Sequence, residues 1–117
     1  MNAGVEGEWA AARFLESRGY RIVAKNHRCR GGEIDLVAEQ GELTCFVEVR
    51  ARRSLNLGTP AATVTRKKQR RIVLAATDYL AAVGGPERAL RFDVVAVHLA
   101  RNGARCEHIP GAFDVES

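Results

Sequence analysis

Three acidic residues in separate segments, Glu8, Asp35 and Glu48, are of a type and spacing that could do chemistry. In an extended strand alternate side chains share a face. Along Glu33-Ile34-Asp35-Leu36-Val37 this puts Ile34 and Leu36 on one face and Glu33 and Asp35 on the other. Along Cys45 to Ala51 the apolar side is Cys45, Val47, Val49 and Ala51, while Phe46, Glu48, Arg50 and Arg52 share the opposite side. If the two runs pair, Asp35 and Glu48 reach neighbouring positions on one surface, in a register that sequence alone leaves open. Two carboxylates ~4 Å apart repel by about 4 kcal/mol at an effective dielectric of ~20. A hard divalent cation such as Mg²⁺, which takes one or two carboxylates plus water and substrate phosphate, removes that penalty. The plainer alternative pairs Glu48 with Arg50 or Arg52 on a solvated sheet face.

The elements that must carry these acids follow from periodicity. From about Gly4 to Arg18, Trp9, Ala12 and Leu15 fall near one face with Ala11 close by, which predicts a helix stopped by Gly19. Glu8 is spaced to lie beside that stripe, or to act as an ordinary first-turn acid favoured by the helix dipole. Tyr20 to Ala24 reads as a short strand, followed by a basic loop of Lys25, His27, Arg28 and Arg30 that ends at Gly31-Gly32. Glu33–Glu39 and Leu43–Ala51 form a hairpin about Gln40-Gly41-Glu42, with Gly41 free to take positive φ. A loop with Gly58 and Pro60 leads to a second helix from about Thr65 to Val83, where Ile72, Ala76, Tyr79, Leu80 and Val83 recur at helical spacing. Gly84-Gly85-Pro86 ends it, Arg91–Leu99 is a strand, and Ala104–Ile109 is an edge strand beyond an Asn102-Gly103 turn. A hairpin joined through a helix to a further strand predicts a mixed sheet flanked by helices, an α/β sandwich in a single domain over residues 1–117.

Cations bracket the acids. Arg66-Lys67-Lys68-Gln69-Arg70-Arg71 places five cations in six residues at a helix start, against the dipole preference. Arg50, Arg52 and Arg53 follow Glu48, and Arg28 and Arg30 precede Asp35, as a groove for phosphates requires. Lys68 stands four residues before Ile72, near the inner face, from which it can reach the acids. For the 66–71 run alone a solvated helix face is as good a reading. Aromatics supply little stacking platform: Phe46 alone shares the acidic face, and Trp9 and Tyr79 read as core. Backbone recognition of duplex or branched nucleic acid is therefore expected ahead of single-strand base reading. Arg91 and Asp93 share a strand face and read first as a structural pair.

The rest of the composition narrows the class. The chain has 117 residues, 27% of them charged, and a net charge of +4, which favours a polyanionic partner without requiring one. Cys29, Cys45 and Cys106 are odd in number and form no C-x-x-C, which argues against a disulfide framework. His27-x-Cys29 and Cys106-x-His108 lack the usual zinc-ligand gaps, so packed thiols are expected. No apolar leader and no run approaching the ~20 residues of a membrane span occur, and a cytoplasmic protein with no membrane partner is expected.

Gly7-Glu8, Gly32-Glu33-Ile34-Asp35-Leu36, Phe46-Val47-Glu48-Val49-Arg50, Gly58, Val64-Thr65, Lys68-Gln69 and Arg91-Phe92-Asp93 occur in this order. Together they resemble the YraN-like family of small bacterial proteins, within the PD-(D/E)XK nuclease superfamily and akin to archaeal Holliday-junction resolvases. The resemblance runs from about Gly4 to Phe113. It implies a restriction-endonuclease-like mixed β-sheet flanked by helices, in the order α-β-β-β-α-β-β. It further implies that Asp35 and Glu48 hold Mg²⁺ (or Mn²⁺), that the Val49 carbonyl is a further ligand, and that Glu8 orders water or a second ion. The superfamily motif has lysine where Arg50 stands. Arginine clamps phosphate but stays protonated and cannot act as a general base. No proline precedes Asp35, which is introduced by Glu33-Ile34 instead.

The expected activity is hydrolysis of DNA phosphodiester bonds, in branched or structured DNA, by an endonuclease with Glu8, Asp35, Glu48 and Arg50 as catalytic residues. Arg52, Arg53, Arg66, Lys67, Lys68, Gln69, Arg70 and Arg71 are the expected nucleic-acid contacts. A non-catalytic nucleic-acid-binding module of the same fold is the alternative, and a basic surface for an acidic protein is a third. Resolvases act as dimers because a junction has two strands to nick, which leaves a homodimer open although the sequence shows no dimer patch.

Overall fold

The computed structural model describes residues 3–53 and 64–115; Gly58 and Pro60 lie outside them. Helix α1 (Ala3–Ser17) is followed by β1 (Arg21–Cys29), β2 (Gly32–Gln40) and β3 (Leu43–Arg52). Helix α2 (Arg66–Val83), β4 (Ala89–Ala100) and β5 (Gly103–Phe113) complete the chain, in the predicted order α-β-β-β-α-β-β. The strands lie in sequence order in one sheet. β1–β2, β2–β3 and β4–β5 are antiparallel, and β3–β4 is parallel because α2 provides the crossover between them.

Both sheet faces are apolar and each is covered by one helix. Ala11, Ala12 and Leu15 of α1 pack on Leu36, Ala38, Cys45, Val47, Val95, Val97 and Leu99. Ile72, Ala75, Ala76 and Tyr79 of α2 pack on Ile34, Val37, Phe46, Phe92 and Val94. Alternation along β3 therefore sorts apolar residues between two cores instead of separating a core from solvent. Phe46, expected beside Glu48 on an open surface, is fully buried under α2.

Other expectations change as well. The basic stretch Lys25–Cys29, read as a loop, continues β1 to Cys29, leaving Arg30-Gly31 as a tight turn. Its charges suit an edge strand, where one side of the ladder has no neighbour. Trp9 is not core: it is 57% exposed, because α1 turns its small residues Ala11 and Ala12 to the sheet and the indole outward. Val83, at the end of the α2 stripe, is exposed.

Ile34 and Leu36 were expected on one face but belong to opposite cores. β2 turns over at Asp35. In register across from it, between the pairs Lys25↔Leu36 and His27↔Ile34, Asn26 takes φ 51°. A non-glycine residue in that region marks local irregularity, here at the level of the acids.

Candidate active site

The β2–β3 ladder ends at Leu36↔Val47. Extending the register by one residue sets Asp35 across from Glu48, at the fork where the two strands part. The backbone N–H of Val49 donates to Asp35 Oδ2 at 2.8 Å, so a side chain takes over where the ladder stops. Val49, whose carbonyl the resemblance implies as a further ligand, thus lines the site and engages Asp35 through its amide.

Two glycines bring the helices close enough to contribute. A Cβ on Gly7 would overlap the Cβ of Ala51, so α1 approaches β3 closely at a position with no side chain of its own. That contact sets Glu8, the next residue, beside the carboxylate pair. A Cβ on Gly32 would overlap the Arg71 carbonyl oxygen, and this contact seats the first turns of α2 over the start of β2. Thr65 caps α2, its Oγ1 accepting from the Lys68 N–H at 3.1 Å. The Lys68 side chain then crosses to the acids, with Nζ 2.9 Å from Glu48 Oε2.

Glu8, Asp35, Glu48, Arg50, Arg52 and Lys68 line one pocket of about 250 Å³, with Gly4, Val49 and Ala51. Residues from α1, β2, β3 and α2 meet there. Glu48 is only 3% exposed, so the solvated-face alternative for it does not hold. Its other cation, Arg50, lies farther away, with Nη1 at 3.7 Å. Burial pushes the Asp35 carboxyl up to about 8, the Glu48 charge beside it adds to the rise, and the Val49 N–H opposes it. Such a group is protonated near neutrality unless a cation draws the proton off.

The donor set fits a hard divalent ion of open coordination. Two carboxylates face each other, and the pocket has room for water and a phosphate oxygen. Among the described residues no group of three or more His, Cys, Asp or Glu is arranged to hold a metal ion, so an ion at this place would rest on two carboxylates with water and substrate oxygens. Asp35 and Glu48 are thus a two-carboxylate pair, with Glu8 on the pocket wall as a third acid.

The remaining basic residues separate around α2 and β3. Arg53 leaves the pocket to pair with Glu6 at 3.1 Å, tying the end of β3 to the first turn of α1. Gln69 donates its amide to the Val64 carbonyl at 3.0 Å and, with Arg66 and Arg70, lines a different groove beside Phe113–Val115. Lys67 and Arg71 are exposed on α2. Of the 66–71 run, Lys68 alone lines the acidic pocket. Its distance of four from Ile72 was the signal for this; the close approaches at Gly7 and Gly32 had no signal in spacing or periodicity.

Arg91 and Asp93 form the structural pair expected of them. Arg91 Nε and Nη2 donate to the two oxygens of Asp93 at 2.8 Å each. His108 Nε2 lies 2.7 Å from Oδ2 and must be the donor, since the carboxylate only accepts. The Gly111 N–H adds a bond at 3.0 Å, inside the irregular stretch of the β4–β5 ladder.

A family model described as uncharacterised protein family UPF0102 matches residues 7–97, most of the chain. A UPF0102 protein of Anaeromyxobacter dehalogenans is 53% identical over 111 residues, covering 95% of this chain and 83% of the relative. One from Chlorobaculum tepidum is 48% identical over 125 residues, covering 98% and 97%. One from Nocardia farcinica is 52% identical over 112 residues, covering 94% and 87%.

Proposed function

The chain belongs to the uncharacterised protein family UPF0102, and on that premise we propose that it is a Mg²⁺-dependent (or Mn²⁺-dependent) endonuclease hydrolysing DNA phosphodiester bonds, with branched or structured DNA as its substrate class. The reading places it with the PD-(D/E)XK nucleases and the archaeal resolvases it resembles. The observation that carries it is the convergence of Glu8, Asp35, Glu48 and Lys68, from four elements, on one pocket.

Asp35 and Glu48 would hold the metal, and Glu8 would order the attacking water on the α1 side. A divalent ion bound there supplies a lowered water pKa and offsets charge on the phosphoryl oxygens. Arg50 and Arg52 hold the scissile phosphate, a task the planar guanidinium performs well. Arg50 occupies the motif's lysine position and cannot release a proton, but an ammonium still reaches the acids through Lys68. Lys68 is placed to leave Glu48 and follow charge onto the phosphoryl oxygen as water attacks phosphorus and the bond to the departing sugar oxygen breaks.

The test is cleavage of branched, linear and single-stranded DNA by purified protein with Mg²⁺ or Mn²⁺. Wild type is expected to cut, with Asp35→Ala and Glu48→Ala inactive; equal cutting by the variants would trace the activity to a contaminant. Arg50 in the lysine position favours one competing reading, a binding module without catalysis. That reading requires salt-dependent DNA binding that survives both substitutions, with no cutting by wild type.

A further inference from the structure

We infer that Trp9, held by Arg13 on the outer face of α1, is a stacking platform for an unpaired nucleobase next to the acidic pocket, and that it directs the protein to DNA with bases splayed at a branch. The inference rests on the nuclease reading for the class of polymer bound, and adds which part of that polymer is recognised.

Trp9 is the sole tryptophan of the chain and is 57% exposed. Phe46, Tyr79 and Phe92 are buried. The Arg13 guanidinium lies 5.1 Å from the centre of the indole, one turn along the helix, so the ring is positioned by a cation and still has open surface. Arg18 sits over Phe14 in the same way at 4.7 Å, but on the far side of the helix from Trp9. An apolar ring of this size on a helix gains nothing for the fold by facing water, and a base is the flat, electron-rich partner that suits an indole bordered by a guanidinium group.

Position relates this face to the site. Glu8 lines the pocket and Trp9 is the next residue, leaving the helix about 100° further round. Gly4, one turn earlier, lines the pocket as well. The Arg53–Glu6 ion pair holds the cationic end of β3 against this turn of α1. A backbone leaving the pocket past Arg52 and Arg53 runs beside the part of α1 that carries Trp9. A paired base is already stacked and cannot reach the ring, whereas a splayed one can.

Because Trp9 is the only tryptophan, intrinsic fluorescence reads the contact directly. Wild-type protein without divalent metal is titrated with a synthetic DNA fork, with the same fork carrying abasic sites at the branch, and with a long linear duplex. The fork is expected to quench the emission, and the abasic fork and the duplex to leave it nearly unchanged. Trp9→Ala should bind the fork about 5- to 150-fold more weakly, Trp9→Phe should retain most of the affinity, and binding of both variants to duplex should stay within about twofold. Melting temperatures close to wild type check that both variants fold. Equal quenching by duplex, equal loss of fork and duplex affinity in Trp9→Ala, or a protein-concentration-dependent emission shift insensitive to DNA overturns the inference, the last pointing to a protein partner. If wild type cuts forks and Trp9→Ala keeps the same fork-to-duplex cleavage ratio, this inference falls and the nuclease reading stands. If wild type neither binds nor cuts any DNA, both fall.

Discussion

The sheet contains two carboxylate centres that differ in how their charge is met. Asp93, fully buried, takes two bonds from Arg91, one from His108 and one from the Gly111 N–H. Burial pushes its carboxyl up, but these donors outweigh burial and hold it well below the usual range. Asp35 has one backbone donor and faces a second carboxylate, so burial and Glu48 both raise it, to about 8. A satisfied buried acid contributes to the fold. A buried acid opposed by another acid costs stability, and that arrangement makes sense where a cation or proton is to be exchanged.

If that contrast is right, substitutions at the two centres should fail in different ways. The largest effect is expected at the open centre: Asp35→Ala or Glu48→Ala should reduce cleavage by about 10³-fold or more while leaving the fold intact, read from initial rates and circular dichroism. The satisfied centre should show the reverse. Asp93→Ala leaves Arg91 and His108 without their carboxylate and should cost about 3–5 kcal/mol in urea unfolding.

The pH dependences should oppose each other. Metal-free, folded Asp35 keeps its proton up to about 8, while in the unfolded chain it is lost near the ordinary aspartate value of 3.8. Between those values the folded state binds more protons, so the Asp35 contribution to stability falls as pH rises through about 4 to 8 and is flat above. Asp35→Asn should flatten that slope. Asp93 has a lowered carboxyl, so its contribution is present above the unfolded value and is lost as pH falls below it toward the folded value. Mg²⁺ at about 100 times its dissociation constant should stabilise wild type by about 2.7 kcal/mol, more readily at higher pH as Asp35 ionises, and should not stabilise Asp35→Asn. Thermal melts with and without Mg²⁺ at several pH values check both. A smaller change is expected for Gly7→Ala, which forces α1 away from Ala51: about 1–3 kcal/mol of stability, with cleavage reduced because Glu8 moves with the helix.

Much of the architecture was readable in residue order. Gly41, the Asn102-Gly103 turn and the Gly84-Gly85-Pro86 stop marked element ends, and the helix between two strands implied the parallel β3–β4 pair. Lys68 was placed near the acids by its spacing from Ile72. What failed depended on surroundings. The continuation of β1 through Lys25–Cys29 depends on pairing with β2, not on local composition. The burial of Phe46 depends on α2 covering the face that strand alternation assigns to polar residues. Trp9 read as core because a large apolar ring on a helical stripe usually is, and only the docking of α1 through Gly7, Ala11 and Ala12 turns it outward.

The bond from the Val49 N–H to Asp35 also makes the site observable from the backbone. That amide senses whether its acceptor is charged, neutral or drawn toward an ion, so its nitrogen and proton resonances should move with each change at the fork. A single assigned peak in a ¹⁵N-labelled sample would then follow titration and ion capture without probes attached to the pocket.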